Sequence, residues 1–168
     1  SGSSFGVKIF NSKSDISNFF LNYDNEINRY KNHNKLMIEK YIRGRELTVS
    51  VYENEKTTQA VEVTEIFSSR SFFDYKAKYT KGLSKHILPA KLSKKMYEQC
   101  LSLAMVVHDE LGCKGISRSD FLCDEENIYF LEINTQPGLT PISLVPEQLR
   151  HKNIDFDTLI KRIIESSL

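Results

Sequence analysis

Hydrophobic and polar positions alternate in short bursts and then lengthen into helical spacing. Val7-Lys8-Ile9-Phe10 predicts a short strand, and Ser14 predicts the cap of a helix running to about Arg29, with Ile16, Phe19, Phe20 and Tyr23 on its buried stripe. Leu36–Ile42 alternates as a strand. Arg43-Gly44 turns the chain into a second strand, Glu46–Tyr52, and a third, Gln59–Ile66, follows a polar turn. Residues 67–83 lack periodicity and read as an irregular loop. Leu92-Ser93 opens the longest helix, capped by Ser93 and stopped by Gly112, with Met96, Leu103, Ala104, Val107 and Leu111 at helical spacing. Gly115–Cys123 and Ile128–Asn134 predict a hairpin. The loop Thr135–Ile142, a short helix from Ser143 and an amphipathic helix over Phe156–Ile164 complete the chain. This order has no βαβ regularity. It predicts an α+β fold, a mainly antiparallel sheet flanked by helices.

The hairpin concentrates the chemistry. Asp124-Glu125-Glu126-Asn127 closes it as a three-residue loop if Asn127 takes the left-handed position. That register sets Asp124 opposite Ile128, Asp120 opposite Glu132 and Arg118 opposite Asn134. One face then carries Arg118, Asp120, Glu132 and Asn134; the other carries Phe121, Cys123, Tyr129, Leu131 and Ile133. Two carboxylates and an amide oxygen are hard ligands suited to Mg²⁺. Arg118 beside them fits an anionic substrate or a developing oxyanion. The bland alternative is a solvated strand face, which Asp120 and Glu132 alone would favour; Arg118, Asn134 and the Pro137-Gly138 turn weigh against it. Gly138 can present its backbone N–H as an oxyanion donor, though a proline-glycine pair is ordinarily just a turn.

Two loops add weaker signals. Phe72-Phe73-Asp74-Tyr75-Lys76-Ala77-Lys78-Tyr79 places aromatics in a polar stretch, as a lid over a nucleotide would, with Lys78 free to meet a phosphate. A surface loop with an apolar anchor is the alternative. Ser1-Gly2-Ser3-Ser4-Phe5-Gly6 has small residues whose amides can cradle phosphates, as flexible ends also do. That opening has neither an initiator methionine nor a signal peptide, which suggests that the sequence begins inside a longer protein.

Composition narrows the classes. Lys plus Arg number 23 against 22 Asp plus Glu, so charge gives no reason to expect nucleic acid or a membrane surface as partner. The apolar run at Leu103–Val107 is too short to span a bilayer. Cys100, Cys113 and Cys123 are odd in number and never at CxxC spacing. They read as small hydrophobes in a reducing, cytoplasmic setting.

Several segments carry a family likeness. Glu39-Lys40-Tyr41-Ile42, Gly44-Arg45-Glu46-Leu47-Thr48-Val49, Tyr75-Lys76-Ala77-Lys78-Tyr79 and Leu111-Gly112-Cys113-Lys114-Gly115 match in order and spacing. So do Ser117-Arg118-Ser119-Asp120, the run Leu131–Gly138 and the run Thr140–Gln148. Together they resemble D-alanine–D-alanine ligases of the ATP-grasp superfamily over essentially the whole chain. The resemblance implies an ATP-grasp C-terminal domain from residue 39 to 168, preceded by the end of a central subdomain over 1–38. It implies an enzyme that joins two D-alanines through an acyl phosphate, for peptidoglycan synthesis and hence cell-wall biogenesis and cell shape. The substrates would be ATP and D-alanine and the metal two Mg²⁺ (or Mn²⁺), with a possible homodimer in the full-length protein.

The resemblance also assigns roles. Asp120, Glu132 and Asn134 would hold the two metal ions, with Glu132 bridging, and Lys78 and the loop containing Ser3 and Ser4 would meet ATP phosphates. Lys40, Tyr41 and Ile42 would line the adenine pocket, with Phe72 and Leu131 on the base and Glu39 and Glu46 on adenine and ribose polar groups. Arg118 and the Gly138 amide would stabilise the tetrahedral oxyanion. Ser143 and the Leu144 amide would bind the second substrate's carboxylate. Tyr79 would bond to Ser3 and close the lid, favouring D-alanine over D-lactate. The family's N-terminal glutamate and central-domain lysines are not among these residues, so the isolated chain is expected to be inactive. Another ATP-grasp carboxylate–amine ligase and a non-catalytic nucleotide-binding module are the competing readings. A pure binder would have no need of the Arg118 group.

Overall fold

A computed structural model of the protein describes residues 7–22, 37–53, 57–68 and 84–165. The chain forms two compact units, Ser1–Ile42 and Arg43–Leu168.

In the first unit, helix α1 spans Lys13–Leu21. Its cap is Ser12 rather than Ser14: Ser12 is extended and its hydroxyl accepts the Asp15 N–H at 3.1 Å, while Ser14 merely hydrogen-bonds to Ser12. None of its residues is buried. Ile16 and Phe20 are exposed, and Phe19 packs on Phe10 with ring centroids 5.3 Å apart. Tyr23, Arg29 and Leu36 lie outside the described residues. Val7–Phe10 and residues 37–44 are irregular backbone instead of the expected strands. Alternation marks a face, but a strand exists only where a neighbour completes the ladder.

The second unit is built on a five-stranded antiparallel sheet of order β3-β2-β1-β4-β5, with β1 Arg45–Glu53, β2 Thr58–Ser68, β3 Ser84–Ile87, β4 Ile116–Cys123 and β5 Ile128–Asn134. The short edge strand β3 has no sequence counterpart among the expected elements. Helix α2, Lys94–Glu110, covers one face of the sheet. Helices α3, Leu144–His151, and α4, Phe156–Glu165, cover the other. Alternation along β1 and β4 therefore serves two cores. Leu47, Val49, Val51, Phe121 and Cys123 face α2 with Cys100 and Ala104, whereas Tyr52, Val61 and Ile116 face α3 and α4 with Val145, Leu149 and Leu159.

Local signals hold up in α2. The Ser93 hydroxyl accepts the Met96 N–H at 3.3 Å, and Gly112 ends the helix region at φ +63°. The buried positions are Cys100, Ala104 and His108, one turn apart, while Leu111 at the C-cap is exposed. Burial raises all three thiol pKa values, Cys100 to about 12, so each stays a neutral hydrophobe. At the start of β1, a Cβ on Gly44 would lie 2.7 Å from the Cys123 carbonyl oxygen, so only glycine permits this close approach.

His108 is fully buried. Its Nδ1 lies 2.7 Å from the Ser117 hydroxyl, and Nε2 has no hydrogen-bond partner among the described residues, a Glu53 carboxylate oxygen standing 3.9 Å away. Burial outweighs that carboxylate and lowers the histidine pKa below 6.5. The stability this neutral ring supports is complete above pH 6.5. It is lost as pH falls from 6.5 through the depressed folded value, because the unfolded chain then binds the extra proton. Thermal unfolding across that window should show a steeper acid loss for the wild type than for His108→Gln. Equal slopes would mean that the ring is protonated in the fold.

Candidate functional site

The β4–β5 ladder pairs Asp120 with Glu132 and Arg118 with Asn134. Its register near the turn differs from the expected one. Cys123, not Asp124, pairs with Ile128, then Leu122 with Tyr129 and Phe121 with Phe130. A bulge at Leu131 inserts one residue and restores the pairing at Asp120. Without it, Glu132 would point at the α2 core. Phe130 therefore takes the core-side face expected for Tyr129, with its ring 5.9 Å from Phe121, and Phe130 and Leu131 are both half exposed. Among the described residues only Asn153 and glycines have positive φ, so Asn127 does not adopt the left-handed conformation. The Asp124 carboxylate closes the turn instead, accepting the N–H groups of Glu126 (2.9 Å) and Asn127 (2.7 Å) and the Tyr129 hydroxyl (2.9 Å). Those bonds lower its pKa, the Glu126 N–H contributing most.

Arg118 grips Asp120 with both arms, Nε to Oδ1 at 2.9 Å and a terminal nitrogen to Oδ2 at 2.8 Å, and both side chains are largely buried. Thr48, directly opposite Asp120 on β1, donates its hydroxyl to Oδ1 at 2.6 Å. Glu46 lies two positions along on the same face. Glu132 is exposed. The Asn134 side-chain oxygen accepts the Gln136 N–H at 2.9 Å and starts the loop to Gly138.

Among the described residues no three His, Cys, Asp or Glu side chains converge as a closed cation cage. The opposed Asp120–Glu132 pair with the Asn134 amide suits a hard cation that completes its shell with phosphate oxygens and water, as Mg²⁺ does. The donor set therefore fits Mg²⁺.

The second cluster heads α3. Ser143 occupies the N-cap position at φ −77°, ψ 150°, yet its side chain makes no capping bond. Its hydroxyl turns to Thr140 instead, 2.8 Å from the threonine Oγ1, and accepts the Thr140 N–H at 3.2 Å. The Leu144 and Val145 amides thus open the helix without a capping side chain, and the first helical bond is Glu147 N–H to the Ser143 carbonyl. Gly138 abuts this group: a Cβ there would stand 2.9 Å from the Ser143 hydroxyl oxygen. Arg150 donates to the Pro141 carbonyl at 2.8 Å and steadies the loop. Such a helix start, with a hydroxyl and a glycine beside it, suits a small carboxylate.

The family model described as the C-terminus of D-ala D-ala ligase matches residues 1–165. The chain belongs to this family. It is 43% identical to a D-alanine–D-alanine ligase of Zymomonas mobilis over 99% of this chain and 51% of that protein. It is 48% identical to one from Rhizorhabdus wittichii over 79% of the chain and 43% of that protein. The structure matches a D-alanine–D-alanine ligase of Bacillus anthracis with TM-score 0.74 at 28% identity, over 99% of this chain and 51% of that one. The same enzyme complexed with ATP matches with TM-score 0.73 at 27% identity, over 98% and 51% of the two chains. The chain spans about half the length of the curated ligases it matches. Its sheet and helices form the ATP-grasp C-terminal domain of such ligases.

Glu39, Lys40, Tyr41 and Ile42 lie in irregular backbone of the first unit. Ser3, Ser4, Phe72, Lys78 and Tyr79 fall outside the described residues. Sequence reasoning passed over Thr48 as a partner of Asp120 and Gln148 as a buried polar group. The available signal was a polar side chain at a position where strand alternation or helical spacing calls for burial.

Proposed function

We propose that this chain is the C-terminal catalytic part of an ATP-dependent, ADP-forming D-alanine–D-alanine ligase acting in the cytoplasm on peptidoglycan precursors. The observation that carries the reading is the paired geometry on one sheet face: Asp120 opposite Glu132 and Arg118 opposite Asn134. The division into residues 1–38 of a central subdomain and 39–168 of the catalytic domain belongs to the same proposal.

A carboxylate is a poor electrophile, so ATP first phosphorylates that of one D-alanine; the amine of the second attacks the acyl phosphate and expels phosphate. Asp120, Glu132 and Asn134 would hold Mg²⁺ ions, which supply charge neutralisation at the transferring phosphoryl group. Arg118, oriented by its two-armed contact with Asp120, meets the oxyanion of the tetrahedral intermediate together with the Gly138 amide. Ser143 and the Leu144 amide bind the acceptor's carboxylate at the start of α3, which leaves its amine free to attack. Glu46 shares the face of Asp120 and would meet the ribose. Ser3, Ser4, Glu39, Lys40, Tyr41, Ile42, Phe72, Lys78, Tyr79 and Leu131 keep the nucleotide and lid roles that the family resemblance implies. Turnover requires the longer polypeptide, because the relatives are about twice as long.

Gly138→Ala should displace the Ser143 hydroxyl and raise KM for the acceptor D-alanine, about tenfold for a misplacement below 1 Å. Steady-state kinetics with D-alanine varied check this; an unchanged KM would remove Gly138 from the site. The reading as a whole is tested by ADP release from the full-length protein with Mg²⁺–ATP and a panel of acceptors. Release that depends on D-alanine supports it. Dependence on another amine points to a different ATP-grasp ligase, and nucleotide binding without ADP formation points to a binding module.

A further inference from the structure

Gln148 is fully buried in α3, one turn beyond Leu144, and its amide spends its bonds on the sheet. Nε2 donates to the Thr48 carbonyl at 3.1 Å and to the Thr64 hydroxyl at 2.9 Å, and Oε1 accepts the Ser50 N–H at 2.9 Å. That N–H is available because the β1–β2 ladder is irregular there. Val49 pairs with Val63 and Val51 with Ala60, which leaves Ser50 without a paired residue on β2. Burying an amide in an apolar layer is costly, and it is tolerable here because donor and acceptor are both satisfied. Adhesion of α3 to the sheet does not need it. Val145 and Leu149 pack in the core, and Lys152 pairs with buried Glu62 at 2.9 Å. What the directional bonds add is a fixed register of the helix along β1.

Thr48 carries that register onward. Its carbonyl holds Gln148, while its hydroxyl holds Asp120 Oδ1 at 2.6 Å. One residue thus joins the helix bearing Ser143 and Leu144 to the carboxylate gripped by Arg118. An α-helix transmits such an anchor rigidly, and Leu144 is only about 6 Å along the axis from Gln148 at 1.5 Å per residue.

We propose that Gln148 and Thr48 act together as positioning residues that set the acceptor-carboxylate end of α3 at a fixed distance from Asp120. The inference rests on the ligase reading above for the acceptor's location. Neither residue touches substrate; each acts through a group that does.

The test uses the full-length protein. Gln148→Met keeps the length of the side chain without its hydrogen bonds. Thr48→Val keeps the shape without the hydroxyl, and Thr48→Ser keeps the hydroxyl. Gln148→Met is expected to raise KM for the acceptor D-alanine about ten- to a hundredfold while leaving KM for ATP in place. Thr48→Val is expected to weaken Mn²⁺ binding, followed by electron paramagnetic resonance with a non-hydrolysable ATP analogue, on the order of tenfold, and Thr48→Ser to restore it. Lower melting temperatures with both KM values and Mn²⁺ affinity unchanged would overturn the proposal and leave a purely structural role. If Gln148→Met does not fold, the Thr48 pair decides. If the wild type releases no ADP with D-alanine, the ligase reading fails, while the Mn²⁺ comparison still judges the Thr48–Asp120 link.

Discussion

Replacing Glu132 by glutamine in the full-length protein is expected to lower D-alanine-dependent turnover at least about a hundredfold while leaving the fold intact. A bound cation supplies several kcal/mol of transition-state stabilisation, and each 1.4 kcal/mol or so is a factor of ten in rate. Glu132 is the sharper choice of the two carboxylates. Asp120 is bound by Arg118 and Thr48 inside the sheet, so its removal would break three largely buried hydrogen bonds and confuse stability with chemistry. Glu132 is exposed on β5, and glutamine keeps its size while discarding one negative charge. ADP release and Mn²⁺ binding should fall together, with the circular dichroism of the folded protein retained. Turnover near the wild-type level would remove Glu132 from the metal site and with it the main support for the ligase reading.

Phe121→Ala should destabilise the protein by about 3–5 kcal/mol, the range for an aromatic deleted from a packed core. Phe121 is completely buried at the centre of the α2-facing layer and meets Phe130 edge-on across the hairpin. Its loss opens a cavity directly beside the bulge that turns Glu132 toward Asp120. Whole-domain stabilities are about 5–15 kcal/mol, so the substitution consumes a large share. Urea unfolding measures it. A cost below about 1 kcal/mol would mean that the site collapses around the gap, and the hairpin would then not depend on this ring.

The local elements near the site were legible in the sequence because their signals are local. The cap at Ser93, the stop at Gly112, and the strands over Glu46–Tyr52 and Ile128–Asn134 follow from propensity and period alone. So does the gathering of Arg118, Asp120, Glu132 and Asn134, since a period of two allows few arrangements. The same reasoning reached the right pairing at Asp120 from the wrong pairing at the turn. The bulge at Leu131 offset the one-residue error near Asp124, and no local preference announces a bulge.

Long-range partners decided the rest. Val7–Phe10 and residues 37–42 alternate like strands, yet they are irregular, because period describes one segment and a ladder requires two. The edge strand β3 forms because β2 offers it an edge, not because Ser84–Ile87 is strongly apolar. Gln148 reads as an ordinary helical polar residue until tertiary packing lays α3 across an irregular stretch of β1 with an N–H to give. The sequence by itself determined that Arg118, Asp120, Glu132 and Asn134 share one strand face, since side-chain type and a period of two are written residue by residue. Only the tertiary structure decided the distance between the Ser143 end of α3 and Asp120, because the bonds that fix it join residues as many as 100 positions apart.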